Sequence, residues 1–305
     1  MTVRAECQCA ACRAYTLENT LPQHFAQYHM QMNATKTTHV EFVPKMTTQV
    51  KLSTLGNQVS GELECKARIQ SANAAFNSMQ RLWLRRLPIS TETKMKLYNS
   101  CVKSRLLYNA GVSTYTRVEL DKIDAAHRRH LRRLLGIFYP ERIGNEDLYR
   151  TTESIPISVT ITELRWTMLG HTLRRPADTP GNKVMKQYFQ RKIIATDKAK
   201  KTTNRGRVLT TLPRLLQRDI MEKLKTKRQR NDLFAIDSFK TGTDLEILRH
   251  KAQNRDVWKK SVKVLVESDQ NQWKIRNDKK KATREKAARK RRTNQPTIQE
   301  YFTRT

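Results

Sequence analysis

Acidic residues are scarce in this chain of 305 residues, where 28 Asp and Glu stand against 60 Lys and Arg for a formal charge of +32. No two aspartates adjoin anywhere, and there is no Gly-rich phosphate loop, no Gly-x-Ser-x-Gly elbow and no defensible pair of carboxylates. The commonest signatures of nucleotide hydrolysis and acyl transfer are thereby excluded. Apolar residues make up 37%, below the ~45–50% of ordinary globular chains, so part of the chain is not expected to be buried. Nine Gly and nine Pro are too few for a collagen-like or low-complexity chain. No run reaches the ~18 apolar residues of a membrane span, and Met1 is followed by no apolar signal core. The five cysteines are odd in number and three crowd together at Cys7, Cys9 and Cys12, which is not a secreted disulfide framework. The expectation is a soluble intracellular protein whose positive charge meets a polyanion. Nucleic acid comes first, because each neutralised phosphate releases counterions.

Helix signals dominate from residue 62 onward. Ile69, Ala72, Phe76, Met79 and Trp83 recur at spacings of three and four, predicting an amphipathic helix from Glu62 to Leu87 that Pro88 ends. Ser90 caps the next, with Met95, Leu97, Tyr98, Cys101, Val102 and Leu106 as its apolar positions. Thr116 and Glu119 form a capping-box pair before a third helix that stops at Gly136. Ser158 opens a fourth, with Leu164, Trp166, Met168 and Leu169, and Thr243 with Glu246 repeats the capping box ahead of Leu245, Leu248, Trp258, Val262 and Leu265. Before residue 62, His39–Val43 and Gln49–Leu52 read as short strands separated by Pro44, with a turn at Gly56-Asn57.

The third helix says most about partners. Leu120, Ile123, His127, Leu131 and Leu134 share one face, while Arg128 and Arg132, and likewise Arg129 and Arg133, stack one turn apart and point away from it. A run of charge is often only a solvated face. Four Arg with no acid among them suit a nucleic-acid backbone better, since guanidinium forks match phosphate oxygens. His127 and His130 border the apolar stripe and read as half-buried, His171 reads as a structural histidine, and Trp83, Trp166, Trp258 and Trp273 read as core anchors.

From Tyr28 the chain runs Tyr-His-Met-Gln-Met-Asn33-Ala-Thr-Lys36-Thr-Thr-His39-Val-Glu-Phe42. This resembles the palm segment that follows the catalytic aspartate pair in reverse transcriptases of non-LTR (LINE-like) retrotransposons, an apolar-x-apolar-Asn-x-x-Lys-Thr run leading into a strand. Leu55-Gly56 looks like the family's Leu-Gly turn, and Lys66–Ala72 with Phe76 and Trp83 is similar to its first thumb helix. Leu106-Leu107-Tyr108, Leu131–Gly136, Asn145–Tyr149, Arg165-Trp166, Gly170-His171, Arg205-Gly206-Arg207 and Asn254–Lys259 follow in the family's order, so the likeness extends from about residue 20 to 260. It implies the end of a polymerase palm, a thumb and the region downstream. Lys36 matches the motif lysine assigned to protonate the leaving pyrophosphate. Polymerase chemistry also needs carboxylates that hold two Mg²⁺ ions about 4 Å apart. In the family an adjacent Asp pair upstream supplies some of them; here Met1–Cys7 stands in that place. The resemblance therefore implies a non-catalytic remnant with no cofactor, Mg²⁺ belonging to the intact family.

Two further patterns name partners. Cys9-x₂-Cys12, eleven residues and then His24-x₄-His29 comes close to a C₂H₂ zinc site, one residue short between Cys and His. His24 and His29 lie where the palm resemblance already accounts for the chain, so free thiols are the preferred reading and zinc the alternative. At the other end Gln295, Ile298, Tyr301 and Phe302 fit the pattern Gln-x-x-aliphatic-x-x-aromatic-aromatic, which looks like the peptide that docks on the sliding clamp PCNA. One 3₁₀ turn would bring the three apolar side chains together as a plug. Before it, Lys279, Lys280, Lys281, Arg289, Lys290, Arg291 and Arg292 read as a nuclear localisation signal, a nucleic-acid-binding tail, or both, with Ala282, Ala287 and Ala288 permitting helix when bound.

The sequence thus predicts a mainly α protein. It has an irregular start (1–19), a palm-like helix and small β remnant (20–61), a helical thumb-like domain (62–189) and a basic linker (190–210). Further helices (211–270) and a basic disordered tail (271–305) complete it. The function expected is binding of RNA or primer–template in the nucleus, with PCNA as a second partner, no membrane and no catalysis. A zinc-finger DNA-binding adaptor recruited to PCNA and a pseudogene product without function are the alternatives.

Overall fold

The computed structural model describes residues 20, 22–23, 26–29, 31, 53–54, 57–58, 61–84, 89–183, 185–187, 189, 212–236 and 243–293. The chain divides into two units, Met1–Lys51 and Leu52–Thr305. In the first, a turn closes where the His29 N–H donates to the Ala26 carbonyl at 3.1 Å. The expected strands at 39–43 and 49–52, Lys36, and the linker at 190–210 lie outside the described residues.

The second unit is mainly helical. It opens on a small antiparallel ribbon, β1 (Ser53–Thr54) and β2 (Asn57–Gln58), pairing Ser53 with Gln58 and Thr54 with Asn57. Asn57 is therefore in the second strand, and Gly56 of the expected Gly56-Asn57 turn lies outside the described residues. The helix expected over 62–87 is two, α1 (Gly61–Ser78) and α2 (Gln80–Leu84). The break has a local cause: the Ser78 hydroxyl donates to the Ala75 carbonyl at 2.8 Å, and the Trp83 indole N–H takes the Phe76 carbonyl at 2.9 Å. Side-chain donors thus occupy carbonyls that a continuous helix would use.

Ser90 caps α3 (Thr91–Tyr98) as expected, its hydroxyl accepting the Thr93 N–H at 3.2 Å. The chain then widens into a π turn, Asn99–Lys103, before α4 (Ser104–Leu107). Tyr98, Val102, Leu106 and Ala110 are all fully buried. Their spacing of four exceeds the α-helical 3.6, and the wider turn keeps them on one face. Cys101, counted among the apolar positions in the sequence, is exposed as a result.

Thr116 and Glu119 form the complete capping box of α5 (Arg117–Leu134). Its exit is a Schellman arrangement: Gly136, at φ +73°, donates to the Arg133 carbonyl and Ile137 to the Arg132 carbonyl. Then come α6 (Asn145–Thr151) and α7 (Ile157–Arg174). Ser158 sits inside the first turn of α7, and the cap is Asp124 of α5: its carboxylate accepts the Ser158 N–H at 2.9 Å and hydroxyl at 2.7 Å. The remaining helices are α8 (Leu212–Lys223), α9 (Lys227–Phe234), α10 (Thr243–Gln253) and α11 (Arg255–Thr293). Thr243 is the first residue of α10 and Glu246 is held by Arg249 at 3.1 Å.

Two cores form. The first gathers Phe76, Trp83, Tyr98, Ile123, Leu131, Leu148 and Ile161, with Phe76 stacked on Trp83 at 5.3 Å and on His130 at 4.6 Å. The second gathers Trp166, Leu173, Ile220, Phe234, Leu248, Trp258 and Leu265. Each fully buried Leu, Ile or Phe stabilises the fold by about 1.5–3 kcal/mol. Trp83, Trp166 and Trp258 are buried, and Trp273 packs edge-on against Tyr149 at 5.3 Å. Helices α7 and α11 belong to both cores: α7 sends Ile157 and Ile161 to one and Trp166 to the other, and α11 sends Val262 to the second and Trp273 to the first.

Over 271–293 the expected disordered tail is replaced by α11, which runs for 39 residues, roughly 58 Å, through the boundary at 271, while 294–305 lie outside the described residues. Trp273 anchors it, Asn277 accepts a hydrogen bond from Asn145 at 2.9 Å, and Lys280 pairs with Asp121 at 3.1 Å. His171 is also corrected. It is exposed and lies 3.2 Å from an Arg175 nitrogen, outside the core.

Candidate nucleic-acid interface

The site is built around α5, whose buried face is polar as well as apolar. His127 and His130, expected to be half-buried, are 0% and 2% exposed. Tyr98 Oη lies 2.7 Å from His127 Nδ1, and His130 Nε2 donates to Asn73 Oδ1 at 2.7 Å. Burial drives the His127 imidazole well below its ordinary pKa and takes His130 down to about 4, so both are neutral bases in the core at physiological pH. Burial likewise pushes up the hydroxyls of Tyr98 and Tyr149. Desolvation also raises the Asp124 carboxyl, against the Ser158 hydrogen bonds and Arg128.

The four arginines part company at the surface of this helix. Arg128 and Arg132 line a cleft of about 850 Å³ whose walls are α5, the loop before α6, α7, α8 and α11. Arg133 lies over the Phe76 ring at 5.4 Å and donates to Asn77, on the α1 flank, and Arg129 is exposed to solvent. Of the two pairs stacked by turns in the sequence, only Arg128 with Arg132 lines the cleft.

Eleven Lys and Arg line that cleft against six acids. The acids are largely committed. Asp219 holds Arg165 at 2.7 Å and Lys223 at 2.9 Å, and Asp269 holds Lys223 at 2.8 Å. Glu222 pairs with Arg117, Asp121 with Lys280, and Asp124 caps α7. Burial alone would raise the Asp219 carboxyl, but Lys223 and Arg165 outweigh it and hold it below its ordinary pKa. These bonds tie α7, α8 and α11 into one floor, in which Arg165 Nε and Nη2 are buried without a hydrogen-bond partner.

Six cations are left over. Among the described residues Arg128, Arg132, Arg142, Arg218, Lys281 and Arg284 have no carboxylate within ion-pairing distance. Arg132 instead donates to Asn145 Oδ1 at 2.8 Å. Desolvation lowers the pKa of Arg132, with Arg128 adding to the shift, and of Arg218, where it outweighs the opposing charges of Asp219 and Glu222, so each guanidinium is held partly out of water. A polyanion entering such a cleft meets cations whose hydration is already reduced, so its attraction is less screened than on an open surface.

Lys281 also comes from the basic run singled out in the sequence, and Lys280 lines the cleft in its pair with Asp121. Lys279 and Arg289 are exposed on α11, and Lys290, Arg291 and Arg292 lie in its last turns. Arg117, Arg142, Arg218, Arg276 and Arg284 were missed because Arg117 opens α5 well before its Arg128–Arg133 run, Arg142 and Arg218 lie on other elements, and Arg276 and Arg284 were read within a tail. Arg276, Lys280 and Arg284 fall one turn apart, so reading the run as a helix would have exposed the stripe. Among the described residues no group of three or more His, Cys, Asp or Glu could hold a metal ion. His29 is exposed at its turn; Cys9, Cys12, His24 and the peptide of Gln295, Ile298, Tyr301 and Phe302 lie outside the described residues. The chain matches no family model, no curated protein and no solved structure.

Proposed function

We propose that this chain is a non-catalytic remnant of a non-LTR retrotransposon reverse transcriptase that grips the backbone of RNA or primer–template in the cleft between α5 and α11. The observation that carries the reading is the set of six cations, from four separate elements, that face one cleft without carboxylate partners. Such contacts neutralise phosphates and are blind to base sequence. The given residues contain no adjacent Asp pair, which supports a reading of backbone binding over copying. The basic end of α11 serves nuclear import as well as binding, and the peptide of Gln295, Ile298, Tyr301 and Phe302 docks on PCNA.

The test is binding of the full chain to a labelled RNA hairpin and to a primer–template at rising salt. If the six cations each meet a phosphate, log K falls with log salt at a slope of about −5 on duplex. Arg128→Ala with Arg132→Ala shallows that slope by about 2, whereas Arg129→Ala with Arg133→Ala changes it much less. A chain that ignores both ligands at low ionic strength, or one that extends the primer with Mg²⁺ and nucleotides, overturns the reading. The clamp contact is checked separately, by titrating PCNA into the chain and into the Tyr301→Ala, Phe302→Ala variant.

A further inference from the structure

The link from α5 to α6 is braced at both ends. At its start the Gly136 and Ile137 N–H groups close the Schellman arrangement on the Arg133 and Arg132 carbonyls at 3.1 and 2.9 Å. In its middle the Glu141 N–H donates to the Phe138 carbonyl at 2.8 Å across Tyr139 and Pro140, and the proline ring removes further backbone freedom. At its end Arg132 donates to the Asn145 side chain, tying the helix the loop leaves to the helix it enters. This braced turn holds two consecutive aromatic residues in water: Phe138 is 49% exposed and Tyr139 86%. A single exposed apolar side chain needs no explanation. Two adjacent rings on a stiff turn are different, because aromatic rings supply much of the apolar area that folding buries and here both are withheld.

The turn stands at the mouth of the cationic cleft. Arg142, Ile143, Gly144 and Asn145 line that cleft, and Tyr139 is three residues from Arg142, a chain reach of at most about 11 Å. The loop carries one acid, Glu141, against Arg142 and the flanking Arg132 and Arg133. Rings beside unpaired guanidinium groups suit a ligand that is both anionic and flat-faced. We infer that Phe138 and Tyr139 form a stacking platform for unpaired bases of a single strand whose phosphates lie among Arg128, Arg132 and Arg142. The inference rests on the reading that the cleft grips nucleic acid and adds to it a preference for single-stranded over fully paired ligand. A base presents its face only when it is out of the duplex, and stacking is tolerant of base identity.

The test compares a labelled U20 RNA with a blunt RNA duplex carrying the same number of phosphates, both titrated with the full chain at fixed salt. The chain is expected to bind the single strand more tightly. Phe138→Ala with Tyr139→Ala weakens single-strand binding by about tenfold or more for each base released, with duplex affinity and the salt slope unchanged. Tyr139→Phe keeps the affinity, and Tyr139→Leu loses it. A 2-aminopurine probe in the strand is quenched on binding, and the quenching disappears in the double alanine variant. Equal single-strand binding by wild type and double variant, or full retention by Tyr139→Leu, overturns the platform, the second outcome pointing to an apolar contact such as a protein partner. If Arg128→Ala with Arg132→Ala lowers both affinities while the ring variants change neither, the platform fails and the cleft reading stands. If the arginine variant also changes nothing, both fail.

Discussion

A methyl group at Gly170 would sit 2.2 Å from Trp258 Nε1 and 2.7 Å from its Cδ1 and Cε2. The indole has nowhere to go: it donates to the Trp166 carbonyl at 3.1 Å and packs against Trp166 and Phe234. Gly170→Ala is therefore expected to cost about 2–3 kcal/mol, seen as a lower urea midpoint at unchanged slope. An unchanged midpoint would mean that the two helices are not in this contact. The sequence offered both residues, Gly170 beside His171 and Trp258 as a core anchor, but no pattern joined them, because they lie 88 residues apart in the chain. The histidines of α5 raise a question of pH. Their folded pKa values lie below the unfolded value of about 6.5, so the unfolded chain binds more protons as pH falls and stability drops with it. The loss begins near pH 6.5 and continues toward the folded value of about 4 for His130. With both imidazoles contributing, the slope approaches about 2.7 kcal/mol per pH unit. Asp124 acts in the opposite sense, since its raised carboxyl favours the protonated form in the fold and offsets part of that slope. Urea midpoints measured between pH 7.5 and 5 are the check, and a flat profile there would deny that the imidazoles are buried neutral.

Among the elements, α11 departs most from expectation, and the reason is the kind of contact that holds it. Up to Leu265 its burial follows an apolar period that is plain in the sequence, whereas beyond Trp273 the ties are sideways and polar. Asn277 reaches Asn145 across 132 residues and Lys280 reaches Asp121 across 159, and composition read along one strand of sequence cannot register such pairs. The capping box and the glycine stop of α5 are local, formed within a few residues, which is why that helix was legible at both ends. If Trp273 is the anchor of this half, Trp273→Ala should remove about 2 kcal/mol or more and release the helix selectively. Amide exchange is expected to speed up from residue 274 onward while 257–269, packed in the second core, stays protected. Uniform protection along α11 would show that the polar ties suffice without the ring.

For the whole molecule, a mainly helical body with excess positive charge was legible in the sequence, whereas the cleft that Arg128 and Arg132 line arose only when distant helices were assembled around them. That assembly carries an electrostatic cost. Arg276, Lys281 and Arg284 of α11 and Arg128 and Arg132 of α5 converge on one space within a chain whose formal charge is +32, and their mutual repulsion opposes the packing that Trp273 and Asn277 favour. Screening should relieve it. Between 10 and 150 mM potassium chloride the Debye length shrinks from about 30 to 8 Å, which weakens that repulsion. The melting temperature is therefore expected to rise over that interval, roughly 2 °C or more for each kcal/mol recovered. A polyanion bound in the cleft should do more than salt can, because it couples to the folded state alone: an oligonucleotide at a hundred times its dissociation constant contributes about 2.7 kcal/mol. Arg128→Ala with Arg132→Ala should raise the melting temperature at 10 mM salt by removing two of the repelling charges, and should shrink the gain from the oligonucleotide. A melting temperature that falls with added chloride would place attraction, not repulsion, in control of this face, and the cleft would then be closed by its own ion pairs with no room for a ligand.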